Sequence, residues 1–204
     1  MIKIKEYLSE TAIKNNLEPN TLQFPDCEIN PEKIKVIMIN EVVPKNPDDW
    51  FYSKTQDAEN RKTALGLFET AGISVKSMRD ILDLGIYITT ALKTPKTGYT
   101  AAPDVIKAQI PILESELALF PNLKLIMLMG DVAIKTFNKI AKAKTKKNII
   151  PAESTYKIRN NIYYYGDIRV FPSYIMTGKN LLIEPFKRDT ISEDIKKMLE
   201  ILEV

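Results

Sequence analysis

The residues of this chain that could do chemistry gather where short apolar runs end. Asn40 and Glu41 place an amide beside a carboxylate directly after the run 34–39. Either group, at a strand end, can position an attacking water, and either can instead serve as a helix cap or loop hydrogen-bonding group. Trp50, Phe51 and Tyr52 follow on the same loop. Phe51 and Tyr52 give the loop a good ligand-binding composition, with burial in the core as the alternative. Loop 90–100 holds Lys93 and Lys96 together with Thr90, Thr94, Thr97 and Thr100, and their hydroxyl and ammonium groups suit phosphate oxygens. After the run 168–171 come Ser173, Tyr174 and Lys179. Ser173 can bond a phosphate or cap the turn after Pro172. Tyr174, Ile175 and Met176 add a ring and apolar side chains, and Lys179 adds a positive charge.

Several chemistries are excluded at once. The chain has no histidine, so no imidazole can act as acid, base or ligand. Cys27 is the only cysteine, which rules out an internal disulfide, a multi-thiolate metal site and an iron–sulfur cluster. No cofactor or metal is expected. A single unpaired thiol suits a reducing interior. The N-terminus lacks the apolar segment of a signal peptide and no apolar run reaches membrane-spanning length, so a cytoplasmic protein without a membrane partner is expected.

The elements that must position these residues follow from periodicity. With 204 residues, 45% apolar and 27% charged, the chain can bury one substantial core, so one domain over 1–204 is expected, with 1–32 as a helical N-terminal extension. Runs 34–39, 86–89, 123–129 and 168–171 are rich in β-branched and apolar residues and predict four strands. The first and third are apolar almost throughout, as central parallel strands are. Helices are predicted over 60–71, 77–84 and 103–119, the last with Ile106, Ile110, Leu113 and Leu117 on one stripe and an interior kink at Pro111. Another begins after Gly130 with Asp131 as its cap, and a C-terminal one follows a capping box at Thr190–Glu193. Residues 162–170 read as a hairpin turning at Gly166-Asp167. Strands alternating with helices predict a right-handed, mainly parallel α/β sheet, and ligands of such sheets bind outside the carboxyl ends of the strands.

The net charge of +3 is compatible with nucleic acid without requiring it. The one local concentration is Lys139, Lys142, Lys144, Lys146 and Lys147, uninterrupted by acid. It is either a solvated helix end or a phosphate-tracking patch.

Taken in order, the strand-end segments resemble the uracil-DNA glycosylase superfamily, nearest its bacterial and archaeal iron–sulfur branch, over about residues 33–202. Asn40-Glu41 is similar to that branch's Gly-Glu-Ala-Pro-Gly motif, and Tyr87-Ile-Thr-Thr90-Ala-Leu-Lys93 to its Tyr-Ile-Thr-Asn-x-x-Lys segment. The 103–117 helix shares an interior proline, Leu125 to Ala133 resembles the strand–Leu-Gly-x-x-Ala turn, and Phe171-Pro-Ser173-Tyr174 resembles the His-Pro-Ser-Tyr loop. The resemblance implies a three-layer α/β/α sandwich around a mainly parallel four-stranded sheet. It also implies DNA base excision, the hydrolysis of the N-glycosidic bond of a flipped base. In this picture Asn40 and Glu41 are catalytic, and Phe51, Tyr52, Thr90 and Phe171 surround the base. Lys93, Ser173, Tyr174 and Lys179 touch DNA, single- or double-stranded, bound by a monomer.

The departures fall on the chemistry. Thr90 stands where the family reads the base with an Asn amide, and its single hydroxyl lacks the amide's donor–acceptor pair. Phe171 stands where the family's histidine stabilises the departing base, and losing one such donor costs on the order of 2.7–4 kcal/mol. Three readings therefore stand: a divergent base-excision glycosylase, a non-catalytic nucleic-acid or nucleotide-binding protein on the same fold, and an α/β protein binding an unrelated small molecule.

Overall fold

The computed structural model describes residues 1–98, 100–178, 181 and 184–202. Strands β3 (Val36–Val42), β4 (Ile86–Leu92), β5 (Leu125–Met129) and β7 (Ile168–Ser173) run parallel, and β6 (Tyr163–Tyr165) pairs antiparallel with β7. The sheet order is β4-β3-β5-β7-β6. The sheet thus has five strands where four were expected, because the hairpin at Gly166 (φ 62°) hydrogen-bonds its first arm onto the edge of β7.

Alternation along each strand sends side chains to two faces. Ile37, Ile39, Ile126, Leu128 and Val170 enter one core with residues of α1 (Ile4–Lys14), α4 (Pro103–Ala118) and α5 (Asp131–Thr145). Val36, Met38, Ile88, Met127 and Phe171 enter the other, with α2 (Glu59–Thr70), α3 (Met78–Asp83) and α7 (Pro185–Leu202). Each fully buried Ile, Leu or Phe contributes roughly 1.5–3 kcal/mol. Residues 1–32 are tied in. Ile4, Leu8 and Ala12 are fully buried, and β1 (Ile2–Lys3) pairs with β2 (Glu28–Ile29) in a small second sheet. A single-turn helix α6 (Thr155–Ile158) precedes the hairpin. No helix among the described residues is long and apolar enough to cross a membrane.

Two helix starts differ in how they are capped. Ser77 and Asp80 form a reciprocal capping box on α3. The expected box at Thr190–Glu193 does not form, because α7 already begins at Pro185 and the Thr190 hydroxyl donates to the Phe186 carbonyl one turn earlier. Pro111 lies inside α4, which continues past it to Ala118.

Candidate functional site

Three of the parallel strands run two or three residues beyond their apolar runs, and this decides what happens to the polar residues at their ends. Asn40 and Glu41 lie within β3 and therefore face opposite sides of the sheet. They do not converge on one water. Asn40 is fully buried, its Oδ1 accepting from the Met176 amide at 3.3 Å, and it sits opposite Thr90 on β4. Thr90 is equally buried. Asn40 Nδ2 and Thr90 Oγ1 find no hydrogen-bond partner among the described residues.

Glu41 faces the other way, toward the start of α5. Gly130 is the N-cap there, at φ 99° and ψ 169°, and offers no side chain. The capping acceptor is Glu41, whose Oε1 takes the Val132 amide at 3.2 Å while Oε2 accepts from Lys96 Nζ at 2.6 Å. Asp131, expected as the cap, is instead the first helical residue, where its charge favours the positive end of the helix dipole. A carboxylate from a distant strand thus occupies the place at a helix N-terminus that suits an anion.

Around this point the ends of β3, β5 and β7 open into a cleft of about 410 Å³. Glu41, Lys96, Lys135 and Lys187 supply its charge together with Asp131, and Tyr174 its ring. Tyr174 is half-buried, packs edge-on against Phe186 with centroids 6.3 Å apart, and carries Lys187 Nζ 5.6 Å from its centroid. Of the residues expected at the site, Glu41 and Tyr174 line this cleft. Lys135 and Lys187 join them from helices whose sequence carries no ligand signal of its own. Lys96 belongs to a loop whose composition did point to phosphate, and Lys135 follows Asp131 by one helical turn.

The other expected residues are placed elsewhere. Lys93, expected to touch DNA, is fully buried, with Nζ donating to Glu116 Oε2 at 2.6 Å, Thr89 Oγ1 at 2.7 Å and the Thr90 carbonyl at 2.8 Å. Burial pushes its ammonium below the ordinary lysine range, and the Glu116 carboxylate opposes that shift. Ser173 is fully buried and donates to Asp194 Oδ2 at 2.7 Å, while Arg159 holds the other carboxylate oxygen at 2.7 Å. Its hydroxyl is thus bound inside the protein. Burial raises the Asp194 carboxyl, against the pull of Arg159 and Ser173. Phe171 is buried in the second core beneath Arg169 and does not line the cleft. Lys179 lies outside the described residues.

Phe51 is also core, 1% exposed, and the Tyr52 hydroxyl donates to the Ile88 carbonyl at 2.7 Å. Both border a separate depression of about 650 Å³ between residues 26–28, α2 and α3, which shares no lining residue with the strand-end cleft. Cys27 lies there, its thiol pushed up to about 12 chiefly by burial, with Glu116 and Asp26 adding to the shift. The ordinary value is 9.0, so at neutral pH this site holds on the order of a thousandfold less thiolate than a free cysteine. Because the folded-state value is raised, the associated stability is fully present below about pH 9 and declines as pH rises toward 12. Alkylation by iodoacetamide, followed by mass, is expected to be slow at pH 8 and still accelerating above pH 10. A rate that levels off near pH 9 contradicts this placement of the thiol.

The sequence matches no protein-family model and no curated protein, so a functional reading has to come from this geometry.

Proposed function

We propose that the chain is a uracil-DNA glycosylase-like protein that binds DNA at its strand-end cleft without cleaving the glycosidic bond. Helices on both faces of the sheet and four parallel strands among its five support the three-layer α/β/α sandwich behind this reading. One observation carries it: Asn40, Thr90 and Ser173 are turned inward and Glu41, the carboxylate at the cleft, is engaged by Lys96 and the Val132 amide, whereas Lys96, Lys135, Lys187 and the Tyr174 ring line the cleft beside it. Ammonium groups beside an aromatic ring suit phosphates and stacked bases, and they tolerate any sequence. Glu41, seated between Lys96 and the Val132 amide, occupies the place at the start of α5 that suits an anion.

Two measurements on one variant test this. Wild-type protein is expected to bind a labelled oligonucleotide with an affinity that falls as salt rises, and to release no base from uracil-containing single- or double-stranded DNA at enzyme excess. In Glu41→Gln the negative charge facing the incoming phosphate is gone. A unit charge about 4 Å away contributes about 1 kcal/mol in water, so binding tightens about fivefold. Abasic product from the wild type that disappears in Glu41→Gln makes Glu41 a water-activating base and the protein a glycosylase. Absence of binding at low salt removes the DNA reading altogether.

A further inference from the structure

The strand-end cleft continues into a second depression of about 580 Å³ along α5, sharing Asp131 and Lys135 with it. Lys135, Lys139 and Lys142 lie along this groove. Their spacing of four and three residues puts them on one helical stripe, about 6 and 4.5 Å apart along the axis at about 1.5 Å per residue. All three are exposed, and Lys139 and Lys142 form no ion pair among the described residues. Lys135 meets Asp131 only at 3.8 Å in solvent, and Glu153 on the far wall is the other acid.

That far wall is fixed in place. Asn138, on α5 and nearly buried, accepts the amides of Ile149 and Ile150 at 3.0 Å each and donates to the Ile150 carbonyl at 2.8 Å. This clamp holds residues 149–150 against the helix, so the groove beside Pro151 and Ser154 does not depend on a loose loop. Tyr156, 79% exposed, follows Ser154 of the groove and Thr155 of the cleft in the chain. This ring packs against no other aromatic ring among the described residues and has a π-face to offer.

We infer that α5 carries the backbone of a single DNA strand away from the cleft, with Lys135, Lys139 and Lys142 on its phosphates and the exposed Tyr156 ring of the neighbouring α6 available to stack a base. This rests on the DNA-binding reading of the cleft and specifies its ligand as a strand several nucleotides long. The stripe spans about 10.5 Å, and stacked nucleic acid rises about 3.4 Å per phosphate on each strand, so the stripe covers about three nucleotide steps and each flexible lysine has a phosphate within reach. A single row of cations along a groove matches one backbone. A duplex would need positive charge on both sides of a groove.

The test compares wild type with Lys139→Gln/Lys142→Gln by fluorescence anisotropy, using labelled oligothymidylates of about 15 and about 3 nucleotides. The control is Lys5→Gln/Lys14→Gln, which removes the same charge from exposed positions on α1. In the groove variant the long strand should bind roughly tenfold more weakly, with a salt slope shallower by about 1.4, at about 0.7 per lost phosphate. The short strand and the α1 control should bind as wild type. Unchanged affinity and slope for the long strand, with wild type binding both, overturn the groove and leave the cleft reading standing. So does an equal loss in the α1 control, or tighter binding of a duplex of the same length. Failure of wild type to bind either strand at low salt overturns the cleft reading itself.

Discussion

Lys93→Met lowers the stability of the folded chain by about 3–5 kcal/mol, because it leaves the buried Glu116 carboxylate without its counter-charge. For a chain of this length that is a fall of roughly 6–20 °C in Tm. The pair lies among donors and acceptors that would be stranded together. Glu116 Oε1 accepts from the Tyr87 hydroxyl at 2.7 Å and from Thr89 at 2.8 Å, and both partners are 0% exposed. Glu116→Gln is expected to cost a similar amount by leaving the ammonium uncompensated. Lys93→Met/Glu116→Leu should recover more than half of either loss, since an apolar pair removes both buried charges at once. Thermal and urea denaturation of the four proteins closes the cycle. Single losses below 1 kcal/mol contradict the placement. So does weakened DNA binding by Lys93→Met at unchanged Tm, which would put the ammonium at a ligand instead.

Gly130→Ala is the second large effect. The residue sits at φ 99°, ψ 169°, a region open essentially only to glycine. A methyl group there would lie 2.7 Å from Glu41 Oε1 and 2.8 Å from its Cγ. Backbone strain of about 1–3 kcal/mol and loss of the α5 cap, about 1 kcal/mol, together give a destabilisation of roughly 2–4 kcal/mol. The two parts can be separated. In a Glu41→Ala background the clash and the cap are already gone, so the same glycine substitution should cost only the backbone share. Equal costs in both backgrounds, measured by chemical denaturation, would show that Gly130 and Glu41 do not meet.

The lysine and the glycine also show where reading the sequence stopped. Apolar runs located all four parallel strands, but three of the predicted ends fell short. Residues 34–39 became Val36–Val42, 86–89 became Ile86–Leu92, and 168–171 became Ile168–Ser173. In each case the apolar pattern breaks at a polar residue, at Asn40, Thr89 and Ser173, whereas the backbone ladder continues because neighbouring strands still offer partners. The three extra residues of β4 put Lys93 beside Glu116, and left Lys96 to reach the cleft. The two extra residues of β7 put Ser173 against Asp194.

By itself the sequence determined the class of sheet, the order of strands and helices along the chain, and the loops that border the cleft. These follow from local periodicity and turn chemistry, which each segment carries alone. It also settled that no imidazole or thiolate cluster is present. Only the tertiary structure decided which polar residues face solvent. Whether Asn40, Lys93 or Ser173 is a reactive group or a buried strut depends on partners more than 20 residues away in the chain, at Met176, Glu116 and Asp194. A buried polar group is stable only where such a partner arrives, and that meeting is a property of packing rather than of local sequence.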